Sequence, residues 1–211
     1  MPSFAARQAI VDKQQQVIAY ELLFRDSMIN VYPKVDAHTA TQKLLHTALQ
    51  SSQSKTFTQQ KPAFINFTTE TLQKGYPFKF DNRHIVVEIL ETEEPTQQLL
   101  SLCQELHQQG YEIALDDFIN HQQWHAFFPY ISIIKVDFRQ TSTTEILQLI
   151  EHITNYPNIK LLAEKIENKQ EFEHASRLGF EYFQGYFIDQ PEVMKSRPHV
   201  MDEIGLELDL A

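Results

Sequence analysis

Residues 62–187 switch again and again between short apolar runs and longer stretches with helical spacing. "PAFINF" and "HIVVEIL" read as strands, and "PTQQLLSLCQELHQQG" as a helix with Pro95 near its start and Gly110 as its stop. "YEIALD" is followed by a weak helical piece around "HQQWHAFF", "ISIIKVD" by "TTEILQLIEHIT", "IKLLAE" by "NKQEFEHASRLG", and "YFQGYF" closes the series. Such alternation makes βαβ units and a mainly parallel sheet, either doubly wound or closed as a barrel. The opening differs: "FAARQAIVD" and "QVIAYELLFR" flank the polar "KQQQ" and read as a hairpin, and "DAHTATQKLLHTALQ" beyond it has helical spacing. At 211 residues the chain fits one barrel-sized domain, 1–211, with residues 192–211 reading as a final helix or a junction to another module.

Polar residues at the strand ends favour the barrel. Glu21, Asn66, Glu88, Asp116 with Asp117, Lys135 with Asp137, Glu164 and Gln184 each fall late in a strand-like run, and from Asn66 onward they recur at about one strand-helix step. In a (β/α)8 barrel such groups converge on one mouth. Any one of these acids alone could be an N-cap or turn residue. Repetition changes the reading, because like charges gathered in one mouth repel unless a cation joins them. The donors are oxygen only, which points to Mg2+ or Mn2+ ahead of Zn2+. "HQQWH" lacks the Glu of a zinc-protease helix and reads as an exposed helix face, while Cys103, among Leu99, Leu100 and Leu106, reads as core. Arg25 reads as a solvated strand-end charge or, beside an acidic ring, as an anion-binding fork.

Composition narrows the partners. With 18 basic and 28 acidic residues, net −10, the chain lacks the footprint of a DNA or RNA binder. One cysteine excludes an intrachain disulfide framework, and no run approaches a membrane span or a signal peptide, so the expectation is a soluble, cytoplasmic protein. Five glycines supply no phosphate cradle, which leaves metal ions or Arg to hold phosphate.

In motif order the residues resemble the EAL family of cyclic di-GMP phosphodiesterases. "YELLFR" is similar to its ExLxR signature, with Leu22 where the family name has Ala; "FINF", "VEILE", "ALDDF", "IKVD", "LAEKIE" and "FQGYFIDQP" follow in family order from Glu21 to Pro191. The resemblance implies a modified (β/α)8 TIM-like barrel with an N-terminal hairpin and an antiparallel first barrel strand. It implies a bacterial signalling enzyme that opens cyclic di-GMP to linear pGpG with two Mg2+ or Mn2+ ions. Glu21, Asn66, Glu88 and Asp116 would hold one ion, and Asp116, Asp117 and Glu164 the other. Lys135 would hold the attacking water, Gln184 would help position it, and Glu164 completes the catalytic set. Leu23, Arg25, Asp137 and Pro191 would line the nucleotide, with Arg25 clamping phosphate, and Glu91 and Glu167 would anchor the surroundings.

Two departures stand out. The family's loop after DDF, GTGYSSL, is replaced by "INHQQWH", and Asp116 to Lys135 is two residues shorter than the pattern; in the family, the glutamate at the position of Glu167 pins that loop. In "LAEKIE", Lys165 takes the glycine position and Ile166 that of valine. The subgroup most similar in these segments carries an HDOD module, and the family loop couples to a dimer partner, so such a module and a homodimer belong among the implied partners. The altered loop also leaves open a weakly active domain that serves as a cyclic di-GMP receptor or protein-interaction module, and a doubly wound domain without a nucleotide role is a third reading.

Overall fold

The computed structural model describes residues 4–25 and 58–195. The opening hairpin forms: β1 (Phe4–Asp12) pairs antiparallel with β2 (Val17–Arg25). Its turn is held by the Asp12 carboxylate, which accepts the amides of Gln14 and Gln16, each at 2.9 Å. Parallel pairing then runs through β3 (Ala63–Phe67), β4 (Ile85–Ile89), β5 (Glu112–Leu115), β6 (Ile133–Asp137), β7 (Lys160–Glu164) and β8 (Tyr182–Phe183). β1 closes the circle, antiparallel to both β8 and β2. The result is an eight-stranded barrel in which the first strand alone runs backwards.

Helices start where the sequence supplies acceptors for their free amides. Among the described residues, α1 (Thr69–Gln73) and α3 (Thr143–Ile153) each begin with a capping box, Thr68 with Thr71 and Ser142 with Glu145. Thr96 caps α2 (Gln97–Gln108) and Asn168 caps α4 (Lys169–Leu178), which ends on left-handed Gly179. The apolar faces of these helices lie on the outside of the barrel, where Leu99, Cys103, Leu106, Ile146, Leu149 and Phe172 join a large buried cluster. Burial pushes the Cys103 thiol up to about 12, the state of an inert core residue. No helix among the described residues is long and apolar enough to cross a membrane.

Two segments differ from expectation. "HQQWHAFF" belongs to a 3-10 run, Gln122–Tyr130, rather than an α-helix, and Pro129 within it lacks the amide an α-helix would use. The start of the tail, Glu192–Lys195, is β9, paired antiparallel with the first residues of β1, instead of helix. The helix expected over residues 36–50 and the tail beyond 195 lie outside the described residues.

Candidate functional site

Strand periodicity builds the site. Ile10, Ala19, Phe64, Val86, Ala114, Ile133 and Leu162, one from each of β1 to β7, form a separate buried cluster in the barrel lumen. Side chains two residues apart share a face, so the next lumen level toward the C-terminal end holds Glu21, Asn66, Glu88, Asp116, Lys135 and Glu164, and the same step from Tyr182 gives Gln184. β1 runs the other way and contributes Gln8, two residues before Ile10 and directly opposite Glu21. The register sets Asn66 beside Glu88 and Asp137 beside Glu164. A further step along β2 continues this face through Leu23, half-buried, to Arg25, which is buried and donates to the Phe24 carbonyl at 2.9 Å.

Lys135 is the centre of this level and is fully buried. Its ammonium lies 2.8 Å from Asp116 Oδ1, 3.0 Å from Glu164 Oε1 and 3.8 Å from Glu21 Oε2, and donates to Glu88 Oε1. Burial alone would lower its pKa, but Asp116, Glu164, Glu21 and Glu88 overturn that and hold it well above the ordinary lysine value. Burial pushes the Glu88 carboxyl well up despite Lys135, and pushes Glu164 up to about 8, with Asp116, Glu21 and Asp117 adding to the rise. A single ammonium is too little positive charge for this ring.

Unmet acceptors say what is missing electrostatically. Glu88 Oε2, Glu164 Oε2 and Gln184 Oε1 are buried with no hydrogen-bond partner among the described residues. Oxygens of Asp116, Asp117 and Glu164 lie within 4.8 Å of one another. Buried carboxylate oxygens are costly when nothing faces them, and this all-oxygen set fits a hard divalent cation. Gln184 is fixed by donating to Glu21 Oε2 at 2.6 Å and Gln8 Oε1 at 3.0 Å. A strand-end pattern does not reveal Gln8, because β1 runs in reverse and its residue at this level lies near the start of the strand, opposite Glu21.

The rim holds a second ionic group. Asp117, just after β5, is left-handed at φ +37°, and the loop after β7 brings Lys165, also left-handed at φ +58°, to within 3.1 Å of Asp117 Oδ2 and 2.5 Å of Asp137 Oδ2. Asp137 also accepts the amides of Arg139 and Gln140 at 2.9 and 3.0 Å. Burial would raise its carboxyl, but Lys165 and these amides hold it below the usual carboxylate range. Pro191 is half-buried just ahead of β9.

The two expected anchors behave differently. Glu91 is exposed; its partial burial and the nearby Asp116 and Asp117 push its pKa up, against the lowering effect of its own backbone amide. Two residues on, Glu93 accepts the Thr69 amide at 3.0 Å and its hydroxyl. Glu167 pairs with Arg139 rather than reaching the 119–125 loop. That loop is fixed to α3: Asn120 donates to His152 Nδ1 at 2.8 Å, His125 Nε2 donates to Asn120 Oδ1 at 3.0 Å, and the two imidazoles lie 4.8 Å apart. Trp124 is buried between Phe118 and Phe127.

Comparison with known proteins adds an independent line. The EAL domain family model matches residues 8–191. Cyclic di-GMP phosphodiesterase CdgJ of Vibrio cholerae is 36% identical over 197 residues, 92% of this chain and 46% of that protein. The uncharacterized protein YuxH of Bacillus subtilis is 37% identical over 199 residues, 92% of this chain and 48% of that protein. The chain therefore spans about half the length of these curated relatives. The fold is shared with Klebsiella pneumoniae BlrP1 in its manganese/cy-diGMP complex, at TM-score 0.70 and 21% identity over 93% of this chain and 57% of that one.

Proposed function

Because the chain belongs to the EAL-domain family, we propose that it hydrolyses cyclic di-GMP to linear pGpG with the help of divalent cations, Mg2+ or Mn2+. The observation that carries this reading is the buried ring of oxygen acceptors around Lys135, several of them facing no donor. Glu21, Asn66, Glu88 and Asp116 would hold one ion; Asp116, Asp117 and Glu164 would hold the other. Bound there, the cations would supply Lewis acidity toward water and the phosphodiester.

The chain's own groups do the rest. Lys135, held charged by the ring, donates hydrogen bonds to the attacking water and the phosphoryl oxygen. Gln184, clamped by Glu21 and Gln8, orients that water through its side-chain oxygen. Arg25 meets a non-reacting phosphate, and Leu23, Asp137 and Pro191 border the nucleotide around the mouth. Incubating the protein with cyclic di-GMP and Mn2+, then separating products by chromatography, tests the reading: pGpG is expected, and a folded protein that leaves the substrate intact refutes it. One observation favours a second reading, a cyclic di-GMP receptor that turns over slowly: the Lys165 ammonium already pairs with Asp117. Nucleotide binding by calorimetry without pGpG formation would select it.

A further inference from the structure

Lys165 follows Glu164 directly and adopts a left-handed backbone that glycine takes freely and lysine seldom does. Its side chain, 46% exposed, turns back across the rim. The ammonium contacts both oxygens of Asp117, at 3.1 and 3.2 Å, and Asp137 Oδ2 at 2.5 Å. Asp117 is itself left-handed, so two strained residues are joined by one ion pair, and strain of this kind persists where the surroundings enforce it.

Asp117 is also one of the three carboxylates whose oxygens approach within 4.8 Å. The other two, Asp116 and Glu164, already face Lys135. We propose that Lys165 is a tethered monovalent cation that competes with the second divalent ion for Asp117, so that the chain loads one ion tightly and the other weakly. This rests on the metal reading above. Asp137 offers the ammonium a place to withdraw, since it already accepts from two backbone amides and from Gln140 Nε2 and remains an anchor when Asp117 is taken. A divalent ion bound to Asp117 at about 2 Å would stand within a few ångströms of an ammonium on the same carboxylate, and like charges so close repel. The ion pair, and not the altered loop, supplies the direct contact: among the described residues no side chain of 119–125 hydrogen-bonds to Asp117 or Glu164.

The test counts ions. Mn2+ binding to the whole chain, without nucleotide, is measured by calorimetry and by the electron paramagnetic resonance of free Mn2+. Wild type, Lys165→Gly, Lys165→Gln and Lys165→Arg are compared, each first shown to be folded by its melting curve. The expected result is one tight site and one weak site in wild type. Lys165→Gln and Lys165→Gly tighten the weak site by about tenfold or more and leave the tight one within about twofold, while Lys165→Arg behaves as wild type. A weak site unmoved in Lys165→Gln, or two equally tight sites in wild type, overturns the proposal and leaves the proposed function standing. Absence of any Mn2+ binding by all four folded proteins overturns the metal-dependent function, and this inference with it.

Discussion

Gly185 shows how little freedom one position has. At φ +150°, a Cβ added there would sit 2.2 Å from both the nitrogen and the oxygen of Ile166, backbone atoms that are themselves bonded to the Gln184 carbonyl and the Phe187 amide. Gly185→Ala must therefore distort the strand end that carries Gln184. We expect a loss on the order of 3 kcal/mol or more in urea unfolding, above the range of ordinary surface changes. Lys135 makes a different demand. In the metal-free protein, Lys135→Met leaves the ring without its ammonium and should cost roughly 3–5 kcal/mol, read from the same unfolding curves. With Mn2+ present the same variant should keep its affinity for cyclic di-GMP and lose about two orders of magnitude or more in kcat, whereas Arg25→Ala should lose affinity. Calorimetry and single-turnover kinetics separate the two. At this scale the sequence was informative about residues that repeat a pattern, such as Glu88 and Glu164. It was silent on Lys165 as an ionic partner, since its contact with Asp137 joins positions 28 residues apart through a loop conformation that periodicity does not encode.

Elements were legible where a local pattern of burial repeats. The short apolar runs of β3 to β7, buried on nearly every residue, and the helical spacing of α2, α3 and α4 carry their own signals, and the structure follows them. β9 was not legible, because four residues pairing with a strand more than 180 positions earlier have no local signature. The 3-10 run was half legible, as aromatic packing of Trp124 and Phe128 holds it more firmly than backbone propensity does. This element also carries an acid response. Burial lowers the pKa of His125, and His152 lowers it further; among the described residues, Asn120 and the Phe128 ring are its other neighbours. A base whose folded pKa is depressed favours folding in its neutral form. Its stabilisation is therefore complete above the ordinary histidine value near 6.5 and is lost as pH falls through that value toward the folded one. Protection factors for hydrogen exchange across 119–130, taken relative to the intrinsic amide rate at each pH, should fall below about pH 6.5, and His125→Gln should flatten that dependence.

For the molecule as a whole, the acidic ring makes stability conditional on cations. Mn2+ at about 100 times its dissociation constant should add about 2.7 kcal/mol, seen as a rise in Tm that Asp116→Ala largely abolishes. An unchanged Tm across the titration would contradict a metal-holding mouth. The barrel's closure has a mechanical consequence as well. Phe4 of β1 stands opposite Arg25 on one side and Lys195 of β9 on the other, so the first and last described strands meet at the rim of the mouth. Because β1 and β9 are antiparallel and Phe4 faces Lys195, tension applied at residues 4 and 195 would open their pairing like a zipper, one bond at a time, instead of shearing all its bonds together. A pull along the chain would thus be felt first beside Arg25, making the seam a point where force would reach the proposed phosphate contact before it reached the core.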